Sequence, residues 1–297
     1  MDGFKLKNYL EEKRQLVEDT LEKLLPQEKE WPTKLHESML YSIRAGGKRL
    51  RPILAIAACE ACGADAGRVL PVAAALEMIH TYSLIHDDLP AMDDDALRRG
   101  KPTNHKVFGE AVAILAGDAL LTEAFRIMTR HRHPEVSAPV LLEVVESIAE
   151  ASGSKGMAGG QVIDLESEDK KIDLNKLEEL HRQKTGRLIR VSVEAGAKLA
   201  GARADQVEAL GLYGEKIGLA FQIADDVLDI EGGEEIGKDV GSDVANHKST
   251  YPSLLGLEES KAKARQLVEE AILLLQSFDA KADPLREIAK YVVSRKN

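Results

Sequence analysis

Two acidic clusters embedded in apolar sequence constrain this chain more than any other feature. The first closes the run EMIHTYSLIHDDLPAMDDDALRRG: Asp87 and Asp88 end the apolar stretch, Pro90 breaks it, and Asp93, Asp94 and Asp95 follow. Five carboxylates crowded at the negative end of a helix are unfavourable, and without a cation some would have to protonate or repel one another. The second cluster lies in GLAFQIADDVLDI, where Asp225, Asp226 and Asp229 stand three and four positions apart and so share one side of a helix. Leu219, Phe221, Ile223, Val227, Leu228 and Ile230 around them imply that this helix is heavily buried. One Asp-Asp pair would be ordinary solvated surface. Two clusters on apolar helices point instead to carboxylates gathered round a hard divalent cation such as Mg²⁺, which takes oxygen ligands from one or two carboxylates and from substrate phosphates.

Basic groups accompany each cluster. GGKRLRP places Lys48, Arg49 and Arg51 at a helix start, where backbone N–H groups favour an anion. Arg98 and Arg99 follow the first cluster, Lys184-Thr185-Gly186 interrupts the apolar face of a helix, and Lys238 and Lys248 lie in a second Gly-rich loop able to close over a ligand. Taken singly each is a solvated residue, and Arg49 is left in that class; the pairing of acidic with basic groups is the signal. His80 stands seven positions before Asp87 on the same helix face, as a core histidine or a neutral donor to a diphosphate. Gln161 and Asp164 follow a Gly-rich break, GMAGGQVIDL. No strand precedes those glycines, so a phosphate-loop reading fails on context, and close helix packing is their expected role. His131 and His133 read as an exposed helix end with no metal partners.

The rest of the chain reads as successive helices near 4–25, 33–44, 52–62, 68–89, 110–131, 136–151, 175–199, 204–229, 260–276 and 284–294, with weak strand signals and no domain linker. Aromatics at 4% favour helices over a β-sandwich. The expected fold is therefore all-α, one domain spanning 1–297. A net charge of −10 argues against nucleic acid as a partner. The charged N-terminus carries no signal-peptide pattern, and no apolar run approaches the roughly 20 residues of a membrane span, so a cytoplasmic location is expected. Cys59 and Cys62 form C-x-x-C, a redox or half-metal motif in principle. They directly follow ILAIAA, so two small buried hydrophobes is the better reading.

Together, GGKRLRP, DDxxxxD with RRG, GQxxD, KTG, FQxxDDxxD and GKDxGSD resemble the trans-polyprenyl diphosphate synthases, the farnesyl and geranylgeranyl diphosphate synthase family, over about 41–255. The four residues LPAM between Asp88 and Asp93 resemble its bacterial and plastid form. The resemblance implies a helical bundle around a central cavity, a homodimer, and three Mg²⁺ ions per site. It implies that Asp87, Asp88 and Asp93 bind metal on one wall and Asp225, Asp226 and Asp229 on the other, directly or through water. Lys48, Arg51, His80 and Arg99 would hold isopentenyl diphosphate; Arg98, Lys184, Lys238 and Lys248 would hold the allylic diphosphate. Gln161, Asp164, Thr185 and Gln222 would line the reaction centre, Asp164 counting with the metal ligands.

Product length turns on the helix leading into Asp87. A growing product must extend away from the metals, and Tyr82 lies about one turn deeper, as a floor. An aromatic there resembles the short-chain pattern and favours farnesyl diphosphate; the small Ser83 beside it leaves a side route that would favour geranylgeranyl diphosphate. Two other readings compete. A terpene cyclase would have no use for Lys48, Arg51 and His80, and an inactive partner subunit typically lacks one aspartate cluster, whereas both are present here.

Overall fold

In a computed structural model, which describes residues 4–168, 170–231 and 249–295, the chain is a helical bundle. Its helices are α1 (Leu6–Leu24), α2 (Thr33–Ile43), α3 (Leu50–Ala61), α4 (Leu70–Asp87), α5 (Asn104–Phe108), α6 (Glu110–Arg130), α7 (Ala138–Ser152), α8 (Met157–Ser167), α9 (Leu174–His181), α10 (Arg187–Ala200), α11 (Ala204–Glu231), α12 (Tyr251–Leu255), α13 (Leu257–Leu273) and α14 (Asp283–Ser294). The all-α expectation holds. Strand structure among the described residues is one ribbon, β1 (Leu97–Arg98) against β2 (Lys101–Pro102).

Helix patterning follows position in the bundle. α14 buries Leu285, Ile288, Ala289 and Val292, the single stripe of a surface helix. α3 and α4 are apolar nearly all round: Ile53 to Cys59 and Val72 to Ile79 are buried without interruption, so both sit inside the bundle. α4 packs against α6 and α3, and α10 packs against α3 and α11. One apolar cluster gathers α1, α2, α4, α6 and α7; a second gathers α11, α13 and α14; α3 and α10 contribute to both. Proline begins α4, α7, α12 and α14, where its missing N–H is no loss.

Two departures from the sequence reading bear on the site, and a third lies away from it. The expected continuous helix over 175–199 is split by a π-turn, Arg182–Gly186, between α9 and α10. Such bulges widen a helix by one residue and recur at functional sites. The Gly-rich break contains a helix of its own, α8, and its glycines serve close packing, as expected: a Cβ on Gly160 would lie 2.3 Å from the Lys184 backbone nitrogen. His131 is buried rather than exposed, its Nε2 donating to the Arg68 carbonyl at 2.9 Å. Cys59 is buried, both cysteines are free thiols, and burial raises them to about 12 and about 11. They are reduced packing residues. No described helix is long and apolar enough to cross a membrane.

Candidate active site

α4 delivers the first acidic wall at its C-terminal end. Beyond Asp88 the chain turns back on itself: Leu89 N–H donates to His86 O at 3.1 Å, Met92 N–H to Leu89 O at 2.8 Å, and Asp93 N–H to Asp87 O at 2.9 Å. This turn takes up the four residues between Asp88 and Asp93 and lays Asp93 beside Asp87. Burial pushes the Asp87 carboxyl above its ordinary range; Lys184 opposes the shift, and Asp93 and Asp164 add to it. Burial also pushes Asp88 up to about 6, although the Arg98 Nε, 2.5 Å from its Oδ1, pulls it down. Arg98 Nη2 also reaches Asp95 at 2.9 Å.

Arg98 and Arg99 owe their placement to the ribbon. Its two-residue turn is Arg99-Gly100, both with positive φ (54° and 74°), the pairing expected of a type I′ hairpin. Among the described residues, the non-glycine positions in the left-handed region are Arg49, Asp94 and Arg99. All three stand in the loops round this site, where backbone strain tends to collect.

Arg49 overturns its reading as a solvated cation. It is 3% exposed, donates to Glu77 Oε1 at 2.9 Å and to the Ile43 carbonyl at 2.5 Å. Its left-handed backbone turns the guanidinium inward, while Lys48 stays exposed and Arg51 is half-buried. Glu77, 1% exposed, is the counter-charge for this corner, acting on Arg51 and Arg99 as well. Burial draws Arg51 down to about 10, still cationic near neutrality. His80 lies below the ordinary histidine range because it is desolvated and faces Arg51, Arg99, Arg98 and Arg49. The imidazole is therefore neutral and can donate one hydrogen bond, which fits a core histidine and a diphosphate donor alike.

α8 and the π-turn supply the side wall. Lys184 Nζ donates to Asp164 Oδ2 at 2.7 Å, and Thr185 is buried next to it. Both polar atoms of the Gln161 amide are buried without a protein hydrogen bond. An amide so placed is costly unless a ligand or water completes it.

α11 carries the second wall. Gln222, Asp225 and Asp229 fall on one helix face, and the Asp225 charge acts on Lys48 and Arg51 across the site. Arg295, just past α14, was not anticipated: it donates to Asp225 Oδ1 and lies over the Phe221 ring, 3.8 Å from its centroid. No motif flags a lone arginine seventy positions from its partner. Asp226 is buried, accepting from the Tyr251 N–H at 2.9 Å, and His181 stacks on the Tyr251 ring close by. Lys238, Lys248 and the GKDxGSD motif lie outside the described residues.

Among the described residues, no three His, Cys, Asp or Glu side chains converge on one point as a ready metal cage. The donor set nevertheless suits magnesium. Asp87, Asp88, Asp93 and Asp164 are mutually repelling oxygen donors partly withdrawn from water. A cation held by one or two of them, its shell completed by water and phosphate, removes that conflict. The cationic corner of Lys48, Arg51, Arg99 and neutral His80 offers a place for a second phosphate-bearing group.

Comparison with known proteins shows which family the chain resembles. The model of the polyprenyl synthetase family matches residues 32–292. The chain is 49% identical to the farnesyl diphosphate synthase of Bacillus subtilis, over 98% of each chain. It is 50% identical to a geranylgeranyl diphosphate synthase of Cyanophora paradoxa, over 99% of this chain and 98% of that one. The crystal structure of an FPP/GFPP synthase from Zymomonas mobilis superposes with a TM-score of 0.86 at 42% identity, covering 97% of this chain and 98% of the other.

Proposed function

This chain belongs to the polyprenyl synthetase family, and from that premise we propose how its site joins isopentenyl diphosphate head to tail with dimethylallyl and then geranyl diphosphate, ending at farnesyl diphosphate. The observation carrying this reading is the meeting of two charge systems. Carboxylates on α4, α8 and α11 stand beside a separate cluster of cations round Glu77. A cyclase needs the first system alone; a condensing enzyme needs both.

Asp87, Asp88, Asp93 and Asp164, with Asp225, Asp226 and Asp229, would hold magnesium, three ions per site by family likeness. Bound magnesium supplies the charge that stabilises a departing diphosphate. The chain's own groups do the rest. Lys48, Arg51, Arg99 and the neutral His80 grip the diphosphate of isopentenyl diphosphate. Arg98, Lys184, Lys238 and Lys248 hold the allylic diphosphate, stabilising it as the allylic C–O bond breaks. Gln161, Thr185 and Gln222 line the reaction centre, where Gln161 has an amide to spare. Apolar helix faces exclude the water that would quench the allylic cation. The isopentenyl double bond then attacks that cation, and the proton released goes to the departed diphosphate.

Tyr82 decides the product. Overall identity cannot, because farnesyl and geranylgeranyl synthases match this chain equally well. Tyr82 is half-buried against the apolar cluster, while Ser83 turns its hydroxyl to the His80 carbonyl at 2.8 Å. Purified chain given magnesium, isopentenyl diphosphate and dimethylallyl diphosphate is expected to yield farnesol after dephosphorylation and chromatography. Geranylgeraniol as the main product would remove the farnesyl reading. Diphosphate release without isopentenyl diphosphate would indicate a cyclase, and no turnover a partner subunit. Tyr82→Ala is expected to lengthen the product; an unchanged length would remove Tyr82 as the floor.

The working unit in this reading is a cytoplasmic homodimer. Ile114, Leu115 and Leu142 stand exposed on α6 and α7, Leu142 by 69%, and a second copy would cover them. Light scattering of the purified chain checks this directly, with a monomer the refuting result.

A further inference from the structure

We infer that Gly117 of α6 is a positioning residue for product length, acting through His86 on Tyr82. This rests on the reading of Tyr82 as the floor. Tyr82 and His86 are one turn apart on α4 and face the same neighbour, α6. Their rings meet edge to face, with centroids 5.6 Å apart and planes at 83°. His86 Nε2 donates to the Ile114 carbonyl at 3.0 Å, so the imidazole is pinned to the α6 backbone. Asp118 Oδ1, 3.9 Å from the same nitrogen, is too far to share that bond.

The pin depends on a missing side chain. A Cβ at Gly117 would lie 2.3 Å from His86 Nε2 and 2.6 Å from its Cδ2. Real carbon–nitrogen contacts do not approach so closely, so any side chain at 117 evicts the ring. Gly117 costs helix propensity in the middle of α6, and Ala113, Ala116 and Ala124 show that this face of α6 otherwise tolerates a methyl group. What a methyl at 117 cannot coexist with is the imidazole. The ring in turn packs edge to face on Tyr82 and braces it. Remove or displace His86, and Tyr82 gains room to leave the path of the growing chain.

The product ratio separates this role from plain helix packing, which would change stability and total rate alone. Gly117→Ala, by displacing the ring, and His86→Ala, by removing it, are each expected to raise the geranylgeranyl-to-farnesyl ratio roughly tenfold, which is about 1.4 kcal/mol between the two product geometries. In the His86→Ala background, adding Gly117→Ala is expected to change the ratio no further, because the group it displaces is gone. His86→Ala also keeps the inference testable if Gly117→Ala fails to fold. Suppose wild type makes farnesyl diphosphate and Tyr82→Ala lengthens it, yet both variants still make farnesyl diphosphate with only a lower melting temperature. The inference is then overturned and the floor reading stands. Additive effects of the two substitutions would also overturn it, since Gly117 would then act by another route. An unaltered product in Tyr82→Ala removes the floor reading and the inference with it.

Discussion

Asp87→Ala is expected to lower turnover by roughly a thousandfold, as loss of one fixed group stabilising developing charge does elsewhere, while raising the melting temperature of the metal-free protein. The two effects share a cause. Burial and the nearby Asp93 and Asp164 disfavour the Asp87 charge, and Lys184 offsets only part of this. Lys184 keeps its 2.7 Å bond to Asp164 when Asp87 is gone, so no cation is orphaned. Removing about 1 kcal/mol of such repulsion would lift the melting temperature by about 2 °C in a chain of this size.

Linkage gives the pH signature. A carboxyl whose folded pKa is raised takes up its proton in the folded state first, so the wild type gains stability as pH falls from neutrality through about 6, where Asp88 titrates, towards the ordinary carboxylate range. The variant lacks the Asp87 share of that gain. Its advantage should therefore be largest at neutral pH and shrink as the pH falls, as read by melting in chelator. Magnesium should reverse the order at neutral pH, because it stabilises the form that binds it. A variant that melts below the wild type at neutral pH without metal would show that Asp87 is a packing group and not a stored charge.

How much of this was readable in advance depended on sequence distance. Apolar periodicity located most helices because the signal is local: α6 and α14 repeat their buried residues every three or four positions. The aspartate clusters were readable because each is crowded within a few positions of one helix. Arg49 was not. Its burial comes from a left-handed backbone at a helix start and from a partner 28 positions away on α4. Glu77 interrupts an apolar run, and its meaning lies in the arginines that fold around it. Arg295 and Asp225 meet across seventy positions. The π-turn at Arg182–Gly186 escaped because its residues are individually compatible with an ordinary helix; Gly160 of α8 packs directly on its Lys184 backbone. Arg99-Gly100 closes a hairpin without the Asn-Gly or Asp-Gly pair that usually marks one.

Glu77→Ala should be the most damaging single change outside the aspartates. Arg49 and Glu77 are both almost wholly buried, and breaking such a pair by deleting one partner costs about 3–5 kcal/mol; the partly exposed Glu18, 3.5 Å from the Arg49 Nε, offsets only part of that loss. Arg51 and Arg99 lose the same counter-charge. The three guanidinium groups would then repel one another in the corner assigned to isopentenyl diphosphate, and the KM for that substrate should rise roughly tenfold, with less effect on the KM for the allylic partner. Replacing both members of the pair, Arg49→Met with Glu77→Leu, tests the two consequences separately. An apolar pair of similar volume often recovers the stability of a buried ion pair, so the double variant should melt near the wild type. It should not recover the KM, because Arg51 and Arg99 still lack Glu77. If the double variant restored both, Glu77 would matter to folding alone, and the cationic corner would hold its shape without it.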